Sequence, residues 1–377
     1  MSQLGSGRGS VLAAMSGGVD SSTMATLLVE AGYDVVGVTM ELLPEGAGIP
    51  AEAREAAQDD LRAARATCQA LGIPHHAVDF SARFLDQVVE PFCRSYLEGR
   101  TPNPCIDCNR HLKIAGLQQL RREMGLGYVA TGHYARVSRS ADGSRWQLRQ
   151  AADRAKDQSY VLFCLGQDDL AHLLLPLGGL TKEQVRALAA EHGLANADRP
   201  ESQDICFVPD GDYAAFIEGR GAGCASEPAL EPGPIVDGRG AVLGAHNGIA
   251  RYTIGQRKGL GVAAREPLYV CAKDAATNTL VVGPADEAMG RLVVAHDVNL
   301  VSAATLEGPL RVAAKTHYRQ APQAATAWQP EPGTLAVEFD ESQRLAAAGQ
   351  ALVVYDGDRV LAGGTIAPSP NAPTPRP

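Results

Sequence analysis

The sequence predicts an α/β domain built on a parallel sheet, followed by two smaller β-rich modules. Three observations carry this. Across the first 210 residues, short apolar runs alternate with amphipathic stretches of helical period, the rhythm of a parallel sheet covered by helices on both faces. Beyond about residue 210 the long amphipathic stretches stop, and short apolar runs sit between Gly, Asp and Pro turn signals. At 377 residues, 45% hydrophobic and 20% charged, the chain is long enough for two or three globular domains.

The elements follow in order. VLAAM at 11–15 reads as a buried strand. Residues 20–31 read as a helix, with Met24, Leu27, Leu28 and Ala31 on one face and Gly32 as its stop. DVVGVTM is a second strand, 51–71 an Ala-rich helix ending at Gly72, HHAVDF a third strand and 82–98 a further helix. Residues 110–124 are expected to be helical, GYVATGHYA to return as a strand and 181–194 to add one more helix. VDGRGAVLG, YTIGQRKGLG, PLYVCAKD and TLVVG read as strands and hairpins of a small central module over 211–288. LRVAAKTHY, TLAVEFD and ALVVYDGDRVLAGGTI predict a C-terminal β-barrel or sandwich over 289–367. The Gly/Ser-rich residues 1–10 and the Pro-rich residues 368–377 are expected to be disordered tails around a first domain of 11–210.

The formal net charge of −9 argues against a general nucleic-acid binder, although an acidic protein can carry a local basic groove. No apolar run approaches the ~20 residues of a membrane span. VLAAM is cut short by SGGVD, which is not the pattern of an export signal. Eight cysteines are too few for a disulfide scaffold of this length, so reduced thiols in the cytoplasm are expected.

The first chemical motif is SGGVDSS, Ser16 to Ser22, which follows a strand and opens a helix. Gly17 and Gly18 let backbone approach an anion, and the helix start offers unpaired N–H groups and the positive end of its dipole. Asp20 would repel a phosphate, so it is expected to serve Mg²⁺ or to cap the helix. There is no G-x-x-x-x-G-K-[ST] and no G-x-G-x-x-G, which excludes a Walker loop and a dinucleotide fingerprint.

The second motif is TPNPCIDCNR, residues 101–110. Cys105 and Cys108 read as lying in a Pro-bounded loop just before a helix. A helix start favours the thiolate, which makes Cys108 the better-activated thiol, with Arg110, His111 and Lys113 adding positive charge nearby. A lone CxxC leaves metal, redox and nucleophile roles open. Cys206, in ESQDICFVPD, reads either as a distant partner or as a small core residue. The other five cysteines read as packing residues.

SGGVDSS resembles the PP-loop of ATP pyrophosphatases, whose core is a Rossmann-like parallel sheet and which split ATP between the α and β phosphates. Taken in order, SGGVDSS, TPNPCIDCNR, ATGHYAR, KDQSYVLF, ESQDICFVPD, YTIGQRKGLG and GQALVVYDGD make the chain similar to the bacterial tRNA-specific 2-thiouridylase family over about residues 11–367. The resemblance implies ATP-dependent 2-thiolation of the wobble uridine in the tRNAs for Lys, Glu and Gln, releasing AMP and pyrophosphate. It implies ATP and Mg²⁺ at Ala14, Met15, Ser16, Gly17, Gly18, Val19, Asp20 and Ser21, with Met40 and Gly132 lining the nucleotide. It implies Cys108 as nucleophile and Cys206 as carrier of a persulfide supplied by a sulfur-relay protein. It places Asn103, Pro104 and Cys105 at the target base, and His133, Lys156, Asp157, Gln158, Tyr318, Arg319 and Gln350 at the tRNA. YTIGQRKGLG is expected to be a mobile Gly-rich loop near the site.

The sequence departs from the family at one position. Many members carry Asp where this chain has Cys105. Three thiols, Cys105, Cys108 and Cys206, with one open iron position would suit a [4Fe–4S] cluster that binds external sulfide. Two further readings stay open at the level of sequence. One is a PP-loop enzyme that adenylates a different substrate and needs no thiols; the second is a non-catalytic tRNA-binding protein with a relic loop.

Overall fold

The computed structural model describes residues 9–46, 48–196, 205–220 and 227–369. The expected tails at 1–8 and 370–377, residues 201–204 of the ESQDICFVPD motif, and Cys224 lie outside the described residues. Ser10, assigned to a tail by composition, opens the first strand.

The chain divides into two compact units. One comprises 1–88, 105–211 and 358–360, the other 89–104, 212–357 and 361–377. In the first unit, β1 (Ser10–Ala14), β2 (Asp34–Glu41) and β3 (His75–Asp79) alternate with α1 (Val19–Glu30) and α2 (Ala51–Ala70). α3 (Ser81–Phe84) follows, the chain then contributes α4 (Glu90–Leu97) to the second unit, and the first unit resumes with a helical run through α5 (Pro104–Asp107) and α6 (Ile114–Glu123). Then come β4 (Tyr128–Ala130), β5 (Ala135–Arg139), β6 (Trp146–Gln150), α7 (Gln167–Ala171), β7 (Leu173–Leu174) and α8 (Lys182–Glu191). The sheet runs β3-β2-β1-β4-β7, with every pairing parallel.

β1 is central, and Val11, Leu12 and Ala13 are fully buried, as an apolar run between two helical layers should be. Met24, Ala25 and Leu28 of α1 pack against it with Cys68 of α2 and Val185 of α8. Truncating Leu28 to Ala would cost about 3 kcal/mol. The chain order reverses at β1, between β2 and β4, so the carboxyl end of β1 opens at the topological switch point, where sheets of this kind bind ligands.

Three elements differ from expectation. The helix expected over 82–98 is broken by a π-helical turn at Leu85–Val89 before α4. Pro91 follows it, has no N–H to donate and would crowd the carbonyl four residues back. The expected strand 127–135 is only Tyr128–Ala130, because the chain leaves the sheet at Gly132, where a Cβ would stand 3.2 Å from the backbone of Asp20 and Ser21. The YTIGQRKGLG segment at 252–261 forms turns instead of strands.

In the second unit α4 packs with α9 (Tyr213–Gly219). Tyr96 stacks on Tyr213 with ring centroids 4.4 Å apart, and Phe92 meets Phe216 edge-on at 6.4 Å. β8 (Pro232–Val236), β9 (Val242–Asn247), β10 (Tyr269–Asp274) and β11 (Thr279–Gly283) form one sheet in the order β10-β11-β8-β9. β12 (Met289–Leu300), β13 (Leu310–Lys315), β14 (Gln323–Trp328), β15 (Leu335–Arg344), β16 (Ala351–Asp356) and β17 (Arg359–Ile366) run β12-β15-β14-β13-β16-β17. They close through β12–β17 pairing such as Ala295 with Ile366, which makes a barrel. Its interior is filled by alternate residues, including Ala325, Ala327, Val337 and Phe339.

Candidate active site

The phosphate loop joins β1 to α1. Gly17 has φ of 75°, and a Cβ there would lie 2.2 Å from the Asp60 carbonyl oxygen, so only glycine fits. The N-cap of α1 is Gly18, which provides no side-chain cap, and the first-turn N–H groups of Val19, Asp20 and Ser21 have no intrahelical acceptor. Ser21 instead binds the loop. Its hydroxyl donates to the Gly18 carbonyl (3.0 Å) and accepts from the Ser16 backbone N–H (3.2 Å). An uncapped helix start behind two glycines is the donor set a nucleotide's phosphates require. Met40 lies near the end of β2.

Asp20 is neither the helix cap nor a carboxylate held open for a cation. The Lys182 ammonium donates to Oδ1 (2.7 Å) and Oδ2 (2.9 Å), and the Tyr134 hydroxyl donates to Oδ1 (2.8 Å). The charge expected to bind Mg²⁺ is already neutralised by a lysine 162 residues away, so Asp20 does not fit that role. Asn196 completes the brace, its amide donating to the Gly17 carbonyl (2.9 Å) and the Ser22 hydroxyl (2.8 Å). Sequence reasoning missed Lys182, Tyr134 and Asn196. Lys182 opens a helix where a lysine is commonplace in sequence; its burial, 4% exposed, marks it.

The thiol site lies in the same unit. The expectation that Cys105 and Cys108 sit in a loop before a helix is corrected. Pro104 starts the helix, Cys105 is in its first turn and is exposed, and Cys108 is buried a turn further on. Cys108 to Lys113 form a π-helical turn. Lys113 closes this turn, five residues on from Cys108. Its ammonium interacts electrostatically with Cys108, Cys206 and Cys105. Cys206 is therefore a partner of the other two and not a core residue.

Neither Cys108 nor Cys206 is activated by a helix start. Burial pushes Cys108 up, more than Lys113 pulls it down, so it rests as a thiol beside an ammonium. Desolvation pushes Cys206 up to about 12. Its side chain is open to solvent, so water offsets part of that push. His133 is pushed down to about 3, chiefly by desolvation and then by Lys113, and its Nδ1 lies 2.8 Å from the Thr131 hydroxyl; it is neutral near pH 7. Among the described residues no group of three or more His, Cys, Asp or Glu could hold a metal ion. The three cysteines are included, and their sulfurs do not assemble the donor set a [4Fe–4S] cluster needs.

The remaining sites expected at the RNA are mixed. Asp157 is buried. Its carboxylate accepts from the N–H groups of Ala151 (2.9 Å) and Ser159 (3.2 Å), the Ser159 hydroxyl (2.8 Å) and the Gln150 amide (3.3 Å). The Gln158 side chain accepts from the Tyr134 N–H (2.9 Å). Lys156 is half-buried. In the second unit Tyr318 and Arg319 are exposed. The Gln350 amide donates to the carbonyls of Thr101 (2.9 Å) and Pro102 (3.2 Å), which anchors the extended segment leading to Asn103 and Pro104. Lys273 donates to the Tyr252 carbonyl (2.6 Å), pinning the start of the YTIGQRKGLG segment; burial pushes this lysine down to about 7.

Three family models match in sequence. They are described as the tRNA methyl transferase HUP domain over 9–210, the tRNA methyl transferase PRC-barrel domain over 226–284 and the aminomethyltransferase β-barrel domain over 291–366. The tRNA-specific 2-thiouridylase MnmA of Heliobacterium modesticaldum is 45% identical over 94% of this chain and 92% of its own. That of Moorella thermoacetica is 47% identical over 94% and 98%, and that of Clostridioides difficile 42% over 94% and 97%. The braced phosphate loop, the thiols gathered at Lys113 and near full-length similarity at this identity lead to one conclusion: the chain belongs to the tRNA-specific 2-thiouridylase family.

Proposed function

We propose that the protein is an ATP-dependent tRNA-uridine 2-sulfurtransferase acting on the wobble uridine of the tRNAs for Lys, Glu and Gln. The observation that carries this is that Cys108 and Cys206 both interact electrostatically with the Lys113 ammonium, in the unit that also holds an uncapped SGGVDSS loop. The names of the matching domain models speak of methyl transfer, but two cysteines at one cation are equipment for sulfur transfer.

The uracil C2 carbonyl oxygen is a poor leaving group, and transfer of AMP to it, with release of pyrophosphate, makes a good one. Ala14 to Ser21, Met40 and Gly132 hold the nucleotide; Mg²⁺ accompanies its phosphates and not Asp20. The target base leaves its stack and meets Asn103, Pro104 and Cys105. The terminal sulfur of a Cys206 persulfide attacks C2, forming C2–S and breaking C2–O, and AMP departs. Cys108 then attacks the Cys206 sulfur. The S–S bond breaks, its electron pair stays with the sulfur on C2, and a Cys108–Cys206 disulfide remains for an external dithiol to reduce. Lys113 holds positive charge beside each sulfur anion. A sulfur-relay protein supplies the persulfide, and the enzyme is cytoplasmic; among the described residues no helix is long and apolar enough to cross a membrane. His133, Lys156 to Gln158, Tyr318, Arg319 and Gln350 serve the RNA, Asp157 and Gln350 by ordering backbone.

The test is mass spectrometry of tRNA nucleosides after incubation with ATP, Mg²⁺ and a persulfide donor. Appearance of 2-thiouridine is expected. Its absence, or a methylated uridine instead, sinks the reading. Full activity without iron-dependent visible absorption would set an iron–sulfur mechanism aside. Retained turnover after Cys108→Ser with Cys206→Ser would favour another adenylating enzyme.

A further inference from the structure

Asp20, Tyr134, Gln158, Asp153 and Lys182 form a closed ring of bonds within the first unit. The Tyr134 hydroxyl donates to Asp20 at 2.8 Å. The backbone of Tyr134 exchanges two bonds with Gln158: its N–H donates to Gln158 Oε1 at 2.9 Å, and its carbonyl accepts from the Gln158 N–H at 2.8 Å. From Gln158 the chain runs back to Asp153, whose carbonyl accepts from the Lys156 N–H at 3.3 Å. Asp153 Oδ2 accepts from the Lys182 backbone N–H at 3.0 Å, at the first residue of α8. The Lys182 ammonium returns to Asp20. Tyr134 and Lys182 are 3% and 4% exposed, so neither has room to re-pair with water.

Two ends of this ring face different ligands. Asp20 is in the first turn of the phosphate-loop helix. Arg154 and Ala155, between Asp153 and Gln158, are exposed, and Asp157 between them and Gln158 is held inward by Ala151 and Ser159. We propose that this ring couples RNA contact at residues 153–158 to the set of the phosphate loop, with Tyr134 and Lys182 as positioning residues for Asp20. A displacement of the segment pulls Tyr134 through Gln158 and α8 through Asp153. Both pulls meet on one carboxylate, and rotating it breaks three bonds at once. The inference rests on the proposed binding of ATP at the loop and tRNA at 153–158.

The experiment measures the dissociation constant of α,β-methylene-ATP with and without saturating tRNA. The wild-type protein is expected to bind the analogue about tenfold tighter with tRNA, and tRNA by the same factor with the analogue. Tyr134→Phe removes only the hydroxyl and should bring that factor close to one. Asp153→Asn, at the other side of the ring, should reduce it while the circular dichroism spectrum stays that of the wild type. An unchanged factor in both variants, or no coupling in the wild type, overturns the proposal. Wild-type protein that binds no analogue or no tRNA at all overturns the functional reading itself, which separates the two failures.

Discussion

The phosphate loop and the thiol site lie in one folding unit and are built on opposite plans. The loop is finished at rest: Ser21 ties it to itself, Asn196 holds its backbone, Gly132 lets the chain pass close to it, and Lys182 and Tyr134 bond Asp20. The thiols are gathered but idle. Burial holds Cys108 protonated, Cys206 is pushed the same way in part, and the compensating charge is one ammonium that acts on three sulfurs. The difference follows from what each region handles. A phosphate is charged in solution, so its site is best organised in advance. A sulfur anion is reactive, and a site that keeps it neutral until substrate arrives limits side reactions.

The sharpest way to break this comparison is to remove the sulfurs. Cys108→Ser and Cys206→Ser should each lower 2-thiolation by about a thousandfold or more, measured as 2-thiouridine formed per enzyme. Binding of α,β-methylene-ATP should stay within about twofold of wild type, since no cysteine braces the loop. Loss of analogue binding would show that the two regions are one.

Next is the same kind of substitution in both places. Lys182→Met leaves the Asp20 carboxylate without its partner and should cost about 3 kcal/mol in urea unfolding. That is the low end for a buried pair, because the Asp20 side chain is 31% exposed. Lys113→Met should cost much less stability, because Lys113 is exposed and its neighbours rest as neutral thiols. Equal losses would mean that Lys113 is structural.

Lys113→Met should instead be read in chemistry. Carbamidomethylation of Cys206 by iodoacetamide at pH 8, followed by peptide mass spectrometry, should slow by about tenfold for a one-unit rise in thiol pKa, and Lys113→Arg should restore most of it. An unchanged rate would remove Lys113 from the thiol site.

The last effect concerns pH. His133 titrates near 6.5 when unfolded and near 3 when folded. Below 6.5 the unfolded chain binds the extra proton, so stability falls as pH drops from about 6.5 towards 3. His133→Gln should flatten that part of the profile; a curve of unchanged slope would show that the imidazole is already charged in the fold.

Much of this was legible in the chain. The strand-loop-helix register of SGGVDSS, the parallel sheet and the barrel followed from apolar period and turn residues, which are local signals. Two kinds of feature were not. TPNPCIDCNR reads as a loop because of its prolines, yet Pro104 is a good first residue for a helix, which moves Cys108 away from the helix start that was to activate it. The π-turn over Cys108–Lys113 has no periodic signature. In the bare sequence Asp20 offered a free carboxylate, and Asp157 and Gln350 offered contacts to RNA; each is claimed by a partner far along the chain or by buried backbone.

By itself the sequence determined which elements form and which residues have the chemistry to bind phosphate or carry sulfur, because backbone geometry and hydrophobic period act over a few residues. Only the tertiary structure decided which charges are spent on each other. Burial sets the cost of every unpaired group, and burial is a property of the whole fold: it turned Asp20 from a candidate metal ligand into a braced strut, and Cys108 from an activated thiolate into a thiol awaiting its substrate.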